Sequence, residues 1–255
     1  MNISFSATAT GDAIAAPVFA DRTLSAAAQA LDSATNGAVL RAIEASRFKG
    51  SAGDVLEITA PAGVEATRIV LFGLGEKGDL DGNGAEKAAA IVVKSILTSG
   101  AKTLSVYVDG DTEIACRMGL GAHLGAYRFD TYRTKLSADK KPSVTDVELV
   151  VTDADAATSA WSNWGPVAEG VALARDLVNA PPNILYPASY AAKIEELTRL
   201  GLEVEILLHV AAGKQAAEVA VAAIGCHQAD GTLFVPGVGD LSAHNGRQPF
   251  APAAG

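Results

Sequence analysis

The alternation of two hydrophobic periods along one chain constrains its fold more than any single motif does. Short stretches with an apolar residue at every second position alternate with longer ones spaced three or four apart, the periods of a half-buried strand and an amphipathic helix. Residues 3–7 (Ile3-Ser4-Phe5-Ser6-Ala7) alternate as a strand. Thr23 is placed to cap an alanine-rich helix carrying Leu24, Leu31, Val39, Leu40 and Ile43, interrupted near Asn36-Gly37. Residues 54–59 and 68–72 read as strands, the second (Arg-Ile-Val-Leu-Phe) apolar enough to be central in a sheet. A helix over 85–97 is closed by Gly100, followed by a strand over 104–108, a helix over 112–127 and a strand over 144–151. Strands alternating with helices predict an α/β fold: a three-layer N-terminal domain whose largely parallel sheet is covered by helices.

A long helix over 156–178 follows, with Trp161, Trp164, Val167, Val171, Ala174 and Leu177 recurring on one stripe. Two tryptophans in adjacent turns read as packing rather than as a ligand cage. The helix must stop at Ala180-Pro181-Pro182, because proline lacks the amide donor and disfavours helix in the residue before it. A helix over 187–200 ends at Gly201, and residues 202–207 form a strand, the start of a second α/β domain. The expected division is an N-terminal domain over 1–152, a linker helix and proline break over 153–183, opening elements of a second domain over 184–208, and a loose tail over 209–255. In that tail Gly and Pro rise and charge falls; residues 210–224 retain the composition of an alanine-rich helix.

Composition then excludes several classes. Of 255 residues, 49% are hydrophobic and 19% charged, enough to bury a core and too apolar for a wholly disordered chain. A net charge of −9 argues against nucleic acid as a partner, since phosphate contacts need clustered Lys and Arg. No apolar run approaches the roughly 20 residues of a membrane-spanning helix. Met1-Asn2-Ile3-Ser4-Phe5 has neither the basic nor the apolar part of a secretory leader, so a cytoplasmic location is expected. Cys116 and Cys226, far apart in sequence, make no disulfide framework.

The sharpest local pattern is Gly73-Leu74-Gly75-Glu76-Lys77-Gly78, a G-x-G-x-x-G after an apolar strand, as in a dinucleotide-binding turn, with Asp109 as a candidate ribose-binding acid. Against it, Asp79-Leu80-Asp81-Gly82-Asn83-Gly84 intervenes before the helix and brings two carboxylates to the phosphate position. A strand-end turn is the plainer reading of these glycines. His123, His209, His227 and His244 share no zinc-like spacing, and Cys226-His227 has no partner motif. The acid pairs Asp109/Asp111 and Asp153/Asp155 each follow a strand and precede a helix, where capping explains them without a metal. No G-x-S-x-G elbow is present.

Three segments together resemble the leucyl aminopeptidase (cytosol aminopeptidase, M17) family. They are Phe48-Lys49-Gly50-Ser51-Ala52-Gly53-Asp54 with the strand ending Gly73-Leu74-Gly75, then Gly125-Ala126-Tyr127-Arg128-Phe129-Asp130-Thr131-Tyr132-Arg133-Thr134, and then Ala174-Arg175-Asp176-Leu177-Val178-Asn179-Ala180-Pro181-Pro182-Asn183 with Pro187 after it. The resemblance covers roughly residues 1–207. It implies a non-catalytic N-terminal α/β domain, joined by a long helix to a catalytic domain. That domain uses two divalent metals (zinc, manganese or magnesium) to release N-terminal amino acids from peptides, in a cytoplasmic hexamer. It further implies metal ligands of one Lys, three Asp and one Glu, several of them in the signature N-T-D-A-E-G-R-L. That signature and the preceding G-K-G-x-x-F-D are absent, and past Leu208 the only acids are Glu218, Asp230 and Asp240, with Lys214 the sole lysine. No catalytic, metal-binding or cofactor-binding residue is therefore assigned in this chain. Phe129, Tyr132 and Asn179 to Asn183 are read as structural. The expectation is an aminopeptidase chain whose end, past Leu207-Leu208, departs from the family through truncation or a shifted reading frame. It is inactive alone, with a dinucleotide-binding module on Gly73–Gly78 or an oligomerisation module as alternatives.

Overall fold

The computed structural model describes residues 1–209, 220–227 and 233–234, with side chains described through residue 206. Contacts divide the chain into two units, Met1–Asp176 and Leu177–Gly255.

The first unit is a seven-stranded sheet. It comprises β1 (Asn2–Ser6), β2 (Ala13–Phe19), β3 (Thr23–Leu24), β4 (Val55–Thr59), β5 (Arg68–Gly75), β6 (Thr103–Tyr107) and β7 (Asp146–Val150), in the order β1-β7-β6-β2-β5-β4, with β3 beside β2. β1, β7, β6, β2 and β5 are mutually parallel, while β3 and β4 are antiparallel to their neighbours. β5 is internal and buried over Ile69–Leu74, as its unbroken apolar run requires. One face packs on α3 (Gly82–Ile96) and α4 (Thr112–Ala126), burying Val70, Phe72, Val92, Ile96, Leu104, Met118 and Leu149. The other packs on α1 (Ala26–Ala34) and α2 (Ala38–Glu44), burying Ala16, Val18, Leu31, Val39, Ile43, Ile69 and Leu71. This is the expected three-layer α/β arrangement.

β2 carries no strand signal that the sequence pattern registers. It is alanine-rich and contains Pro17, which cannot donate to a ladder and argues against an internal strand. Small side chains are what its position needs: Ala13, Ala15 and Ala16 are wholly buried between two helical layers. Its pairing with β6 ends at Ala15, two residues short of Pro17, while its pairing with β5 continues to Phe19 with a register shift after Val18.

Residues 7–12 carry the chain from β1 back to β2 across β7 and β6. They are pinned there by a buried hydroxyl. Ser105 Oγ donates to Glu148 Oε2 (2.6 Å) and accepts from the amides of Thr10 (3.0 Å) and Gly11 (2.8 Å). Burial by itself would raise the Glu148 pKa, but hydrogen bonds from Ser105 and Thr10 outweigh it and hold the carboxyl below its ordinary value of 4.5.

Several local expectations need correction. Ser25, not Thr23, caps α1, its Oγ accepting from Ala28 N; Thr23 is drawn into β3 by pairing with Phe19. Gly37, at φ +79, does separate α1 from α2. α3 opens at Gly82 because Asp81 caps it, so the helix reaches into the segment expected to precede it; it ends at Ile96, ahead of Gly100. The connecting helix α5 (Ala154–Asn179) stops before Pro181 as expected yet contains Pro166. Its packed stripe runs through Ala157, Trp161, Trp164, Ala168 and Arg175, while Val167 is 50% exposed and Ala174 is exposed as well. Trp161 packs against Phe5 at 6.0 Å between ring centres and against Gly119, where a Cβ would strike its ring, and the Arg117 guanidinium lies 4.7 Å from the Trp164 ring. Packing, not ligand binding, accounts for both tryptophans.

The second unit holds α6 (Pro187–Glu195), a 3₁₀ turn over Glu196–Leu200 closed by Gly201 at φ +83, and an antiparallel sheet β8 (Glu203–His209), β9 (Ala220–His227) and β10 (Leu233–Phe234) in the order β10-β9-β8. The helix expected over 210–224 is overturned at its end, where 220–224 lie in β9. Val221 and Ile224 suit a strand, and pairing with β8 decides what local composition leaves open. Residues 210–219 and most of the expected tail lie outside the described residues.

Candidate functional site

The glycine pattern of 73–78 is spent on the protein's own backbone. Gly73 and Gly75 lie at the end of β5, and the loop Phe48–Asp54 lies directly upon them. Gly75 N donates to Gly50 O and Gly73 N to Asp54 O, both at 2.9 Å. A Cβ on Gly73 would collide with the Ser51 carbonyl oxygen, and one on Gly50, at φ +76, with the Phe19 carbonyl oxygen. Asp54 closes the loop by accepting from Lys49 N and Ser51 N at 3.1 Å, while Arg22 holds its far side, Nε donating to Phe48 O at 3.2 Å. The pyrophosphate space of a dinucleotide turn is thus filled by Gly50-Ser51. The N-terminus of α3 is also taken, since Asp81 Oδ1 accepts from Gly84 N at 2.7 Å. Gly73–Gly78 is not a nucleotide site, and a pocket of about 130 Å³ adjoins it.

The second and third motifs meet each other. Tyr127, at the end of α4, donates its hydroxyl to Asp176 Oδ1 at 2.8 Å, and Arg175 reaches Leu124 O at 3.1 Å with its guanidinium 5.4 Å from the Tyr127 ring. Phe129 and Tyr132 stack edge to face at 5.7 Å, and Asp130 is shared by Arg128 (2.8 Å) and Arg133 (3.4 Å). These contacts fold the 127–133 turn on itself and fasten α5 to α4.

The other candidate residues serve the fold. Asp111 and Asp153 cap α4 and α5 through Ile114 N and Ala156 N. Burial pushes the Cys116 thiol up, against reactivity, and pushes the half-buried His123 imidazole down. Arg117 binds Glu86 at 2.6 Å and lies 4.0 Å from Glu113, so both acids are answered by a cation. Among the described residues no three His, Cys, Asp or Glu side chains converge as metal ligands, so this donor set does not fit a pair of divalent ions.

A crevice of about 490 Å³ lies at the carboxyl ends of the parallel strands, walled by Pro17, Ser25, Ala27, Tyr107, Asp109 and Val151, among others. It was not foreseen from sequence, because no motif marks it. Chain order explains its place: β2 leads outward to β5, the chain then returns across β2 to β6, and β6 leads to β7 in the opposite direction. Such a reversal leaves a gap at the strand ends where open α/β sheets bind ligands. Here the gap is widened because β6, β7 and β1 stay paired through Val108 and Val151, whereas β2 parts from β6 after Ala15.

Comparison with known proteins adds the following. Residues 15–136 match the N-terminal domain of the cytosol aminopeptidase family. Over 184 residues the chain is 44% identical to a probable cytosol aminopeptidase of Caulobacter vibrioides, covering 72% of this chain and 37% of that protein. A probable cytosol aminopeptidase of Methylorubrum extorquens is 42% identical over 193 residues, 71% of this chain and 37% of that one. The chain thus spans under two fifths of these relatives' length. A mutant of tomato leucine aminopeptidase shares the fold at a TM-score of 0.68 and 24% identity, over 82% of this chain and 44% of that one. The bottromycin maturation enzyme BotP in complex with Mn does so at 0.59 and 24%, over 78% and 39%.

Proposed function

We propose, from the premise that this chain carries the N-terminal domain of the cytosol aminopeptidase family, that it supplies the non-catalytic part of an enzyme removing N-terminal amino acids from peptides. Its segments in that reading are the α/β domain over 1–152, the linker over 153–183 and the opening of a catalytic domain over 184–208. The observation that supports it most is convergence: the two parts of the first family-like segment meet, Gly50-Ser51 on Gly73 and Gly75, and the second meets the third, Tyr127 on Arg175 and Asp176. The role is mechanical. Tyr127, Arg175 and the Trp161 contact hold α5 against α4, so the chain leaves the domain from a fixed point at Asp176.

In this reading two divalent metals (zinc, manganese or magnesium) do the hydrolytic chemistry, activating water and polarising the peptide carbonyl. The described residues of this chain do not offer their cage. Peptide substrates, a cytoplasmic location and assembly into a homohexamer belong to the same proposal. Incubation of the chain with leucine p-nitroanilide and Mn²⁺ or Zn²⁺ is expected to give no metal-dependent turnover, and turnover would overturn the assignment. Half-exposed Val167 and Leu173 on α5 favour a second role in self-assembly. Light scattering is expected to give a mass above one chain, and a strictly monomeric mass at high concentration would sink that role.

A further inference from the structure

We infer that two copies of this chain meet head to tail, the basic turn over 128–141 of one seated on the acidic strand ends over 109–113 and 153–155 of the next. Charge in the first unit is sorted rather than mixed. Residues 128–141 hold Arg128, Arg133, Lys135, Lys140 and Lys141 against only Asp130 and Asp139, in a chain whose net charge is −9. Arg133 and the three lysines are exposed, and among the described residues the lysines form no ion pair. The turn holds these cations in place. Arg128 pairs with Asp130 at 2.8 Å while its Nη1 donates to Lys140 O at 3.0 Å, tying the two ends of the segment together. Tyr132, packed on Phe129 yet 49% exposed, adds an aromatic face of the kind that interfaces favour.

The complementary surface lies where α4 and α5 begin side by side, with residues 110–112 and 151–153 walling one pocket. Asp109, Asp111, Glu113, Asp153 and Asp155 are all exposed there, and neither segment contains a lysine or arginine. Asp111 and Asp153 each give one oxygen to a helix amide, and Glu113 lies 4.0 Å from Arg117. Asp109 and Asp155 form no ion pair among the described residues. Capping thus explains two of these acids and leaves the others facing solvent.

One copy cannot join the two surfaces to each other. α4 starts at the acidic end and delivers the chain to the basic turn 15 residues later, about 22 Å at 1.5 Å per residue. That is beyond the reach of a lysine side chain and beyond the Debye length of about 8 Å at physiological salt. A second copy, set end to end with the first, brings the acids to the unpaired lysines. Exposed ion pairs are individually weak, so dissociation is expected near about 1 mM, and the contact governs orientation more than strength. Because the two surfaces differ, the contact is heterologous and repeats from copy to copy until a ring closes. It is separate from the apolar residues of α5.

Sedimentation equilibrium of the whole chain, at up to about 1 mM, tests this in about 0.15 M and about 1 M sodium chloride. Association is expected in the first and is expected to weaken about tenfold in the second. Two variants at exposed positions separate local pairing from overall repulsion. Lys135→Gln/Lys140→Gln/Lys141→Gln removes three cations and takes the net charge from −9 to −12, whereas Asp109→Asn/Asp155→Asn removes two acids and takes it to −7. Each alone should keep the parent's melting temperature and lose the salt-sensitive association. Mixed one to one, they retain a single matched pair of surfaces and should form a dimer and nothing larger. A monomeric parent, association unchanged in 1 M salt or in either variant, tighter association of Asp109→Asn/Asp155→Asn, or a mixture that stays monomeric would each overturn the contact. None of these readouts involves peptidase activity, so failure here leaves the family reading standing.

Discussion

The carboxyl end of β5 and those of β2 and β6 lie in one sheet, yet they are finished in opposite ways. At β5 three glycines, Gly50, Gly73 and Gly75, let a loop settle onto the strand in direct backbone contact. At β2 and β6 a proline and a run of alanines let two strands part and leave a crevice. The end that carries the recognisable glycine pattern is closed, and the end without a motif is open. A G-x-G-x-x-G string reports only that something approaches the backbone closely. Whether that partner is a phosphate or a loop of the same chain depends on a segment 20 residues away.

The largest effect expected from breaking this contrast is at Gly73. Gly73→Ala forces a Cβ into the Ser51 carbonyl and should cost about 3 kcal/mol or more by urea denaturation. A loss below about 1 kcal/mol would show that the loop can retreat and that the corner is not close-packed. Ser105→Ala comes next. It takes the Ser105 bond from Glu148 and leaves the Gly11 amide without that acceptor, while Thr10 and Glu148 keep each other, and should cost about 1–2 kcal/mol. It should also change the pH profile. The folded Glu148 pKa is depressed, so its contribution is complete above 4.5 and lost as the pH falls through the lower folded value. Wild-type stability should therefore fall across that acid window, and less steeply in Ser105→Ala. Identical acid limbs in the two proteins would refute the Ser105–Glu148 assignment.

Gly78→Ala sharpens the same comparison from the other side. Gly78 sits at φ +97 with nothing within 4 Å of a Cβ, so only backbone strain opposes alanine, about 1–2 kcal/mol. Gly73 has no positive φ, so a cost at Gly78 matching that of Gly73→Ala would mean that crowding against Ser51 costs no more than backbone strain in open space. The smallest effect is expected at Tyr127→Phe, remote from both strand ends. Losing the bond to Asp176 should cost about 0.5–1 kcal/mol and loosen α5 near Asp176, visible as faster amide exchange over 170–176. Unchanged exchange there would remove Tyr127 from the fastening of α5.

Much of the fold was legible because it follows from period. The strands at 55–59, 68–75, 103–107 and 146–150 and the helices between them carry their own hydrophobic repeats. β2 was illegible for the converse reason: Ala-Ile-Ala-Ala-Pro-Val-Phe is shaped by what packs on it, and alanine and proline are poor local strand formers. α5 was placed within two residues at its start and one at its end, but its packed stripe was misjudged. Which residues face α4 depends on Gly119 admitting Trp161, a contact 42 residues apart in sequence. Val221 and Ile224 were read into a helix because alanine dominated their surroundings, whereas pairing with β8 decides for a strand.

Sequence alone therefore determined the α/β class, the parallel sheet, the proline break after Asn179 and the likeness of three segments to one peptidase family. All are properties of local repeats and short strings. Tertiary structure alone decided that Gly73 and Gly75 face Gly50 rather than a ligand, that Tyr127 grips Asp176, and that the chain's reversal at β2 opens a crevice beside Ser25. Each of those depends on residues brought together from separate parts of the chain, and close packing leaves no record in the spacing of either part.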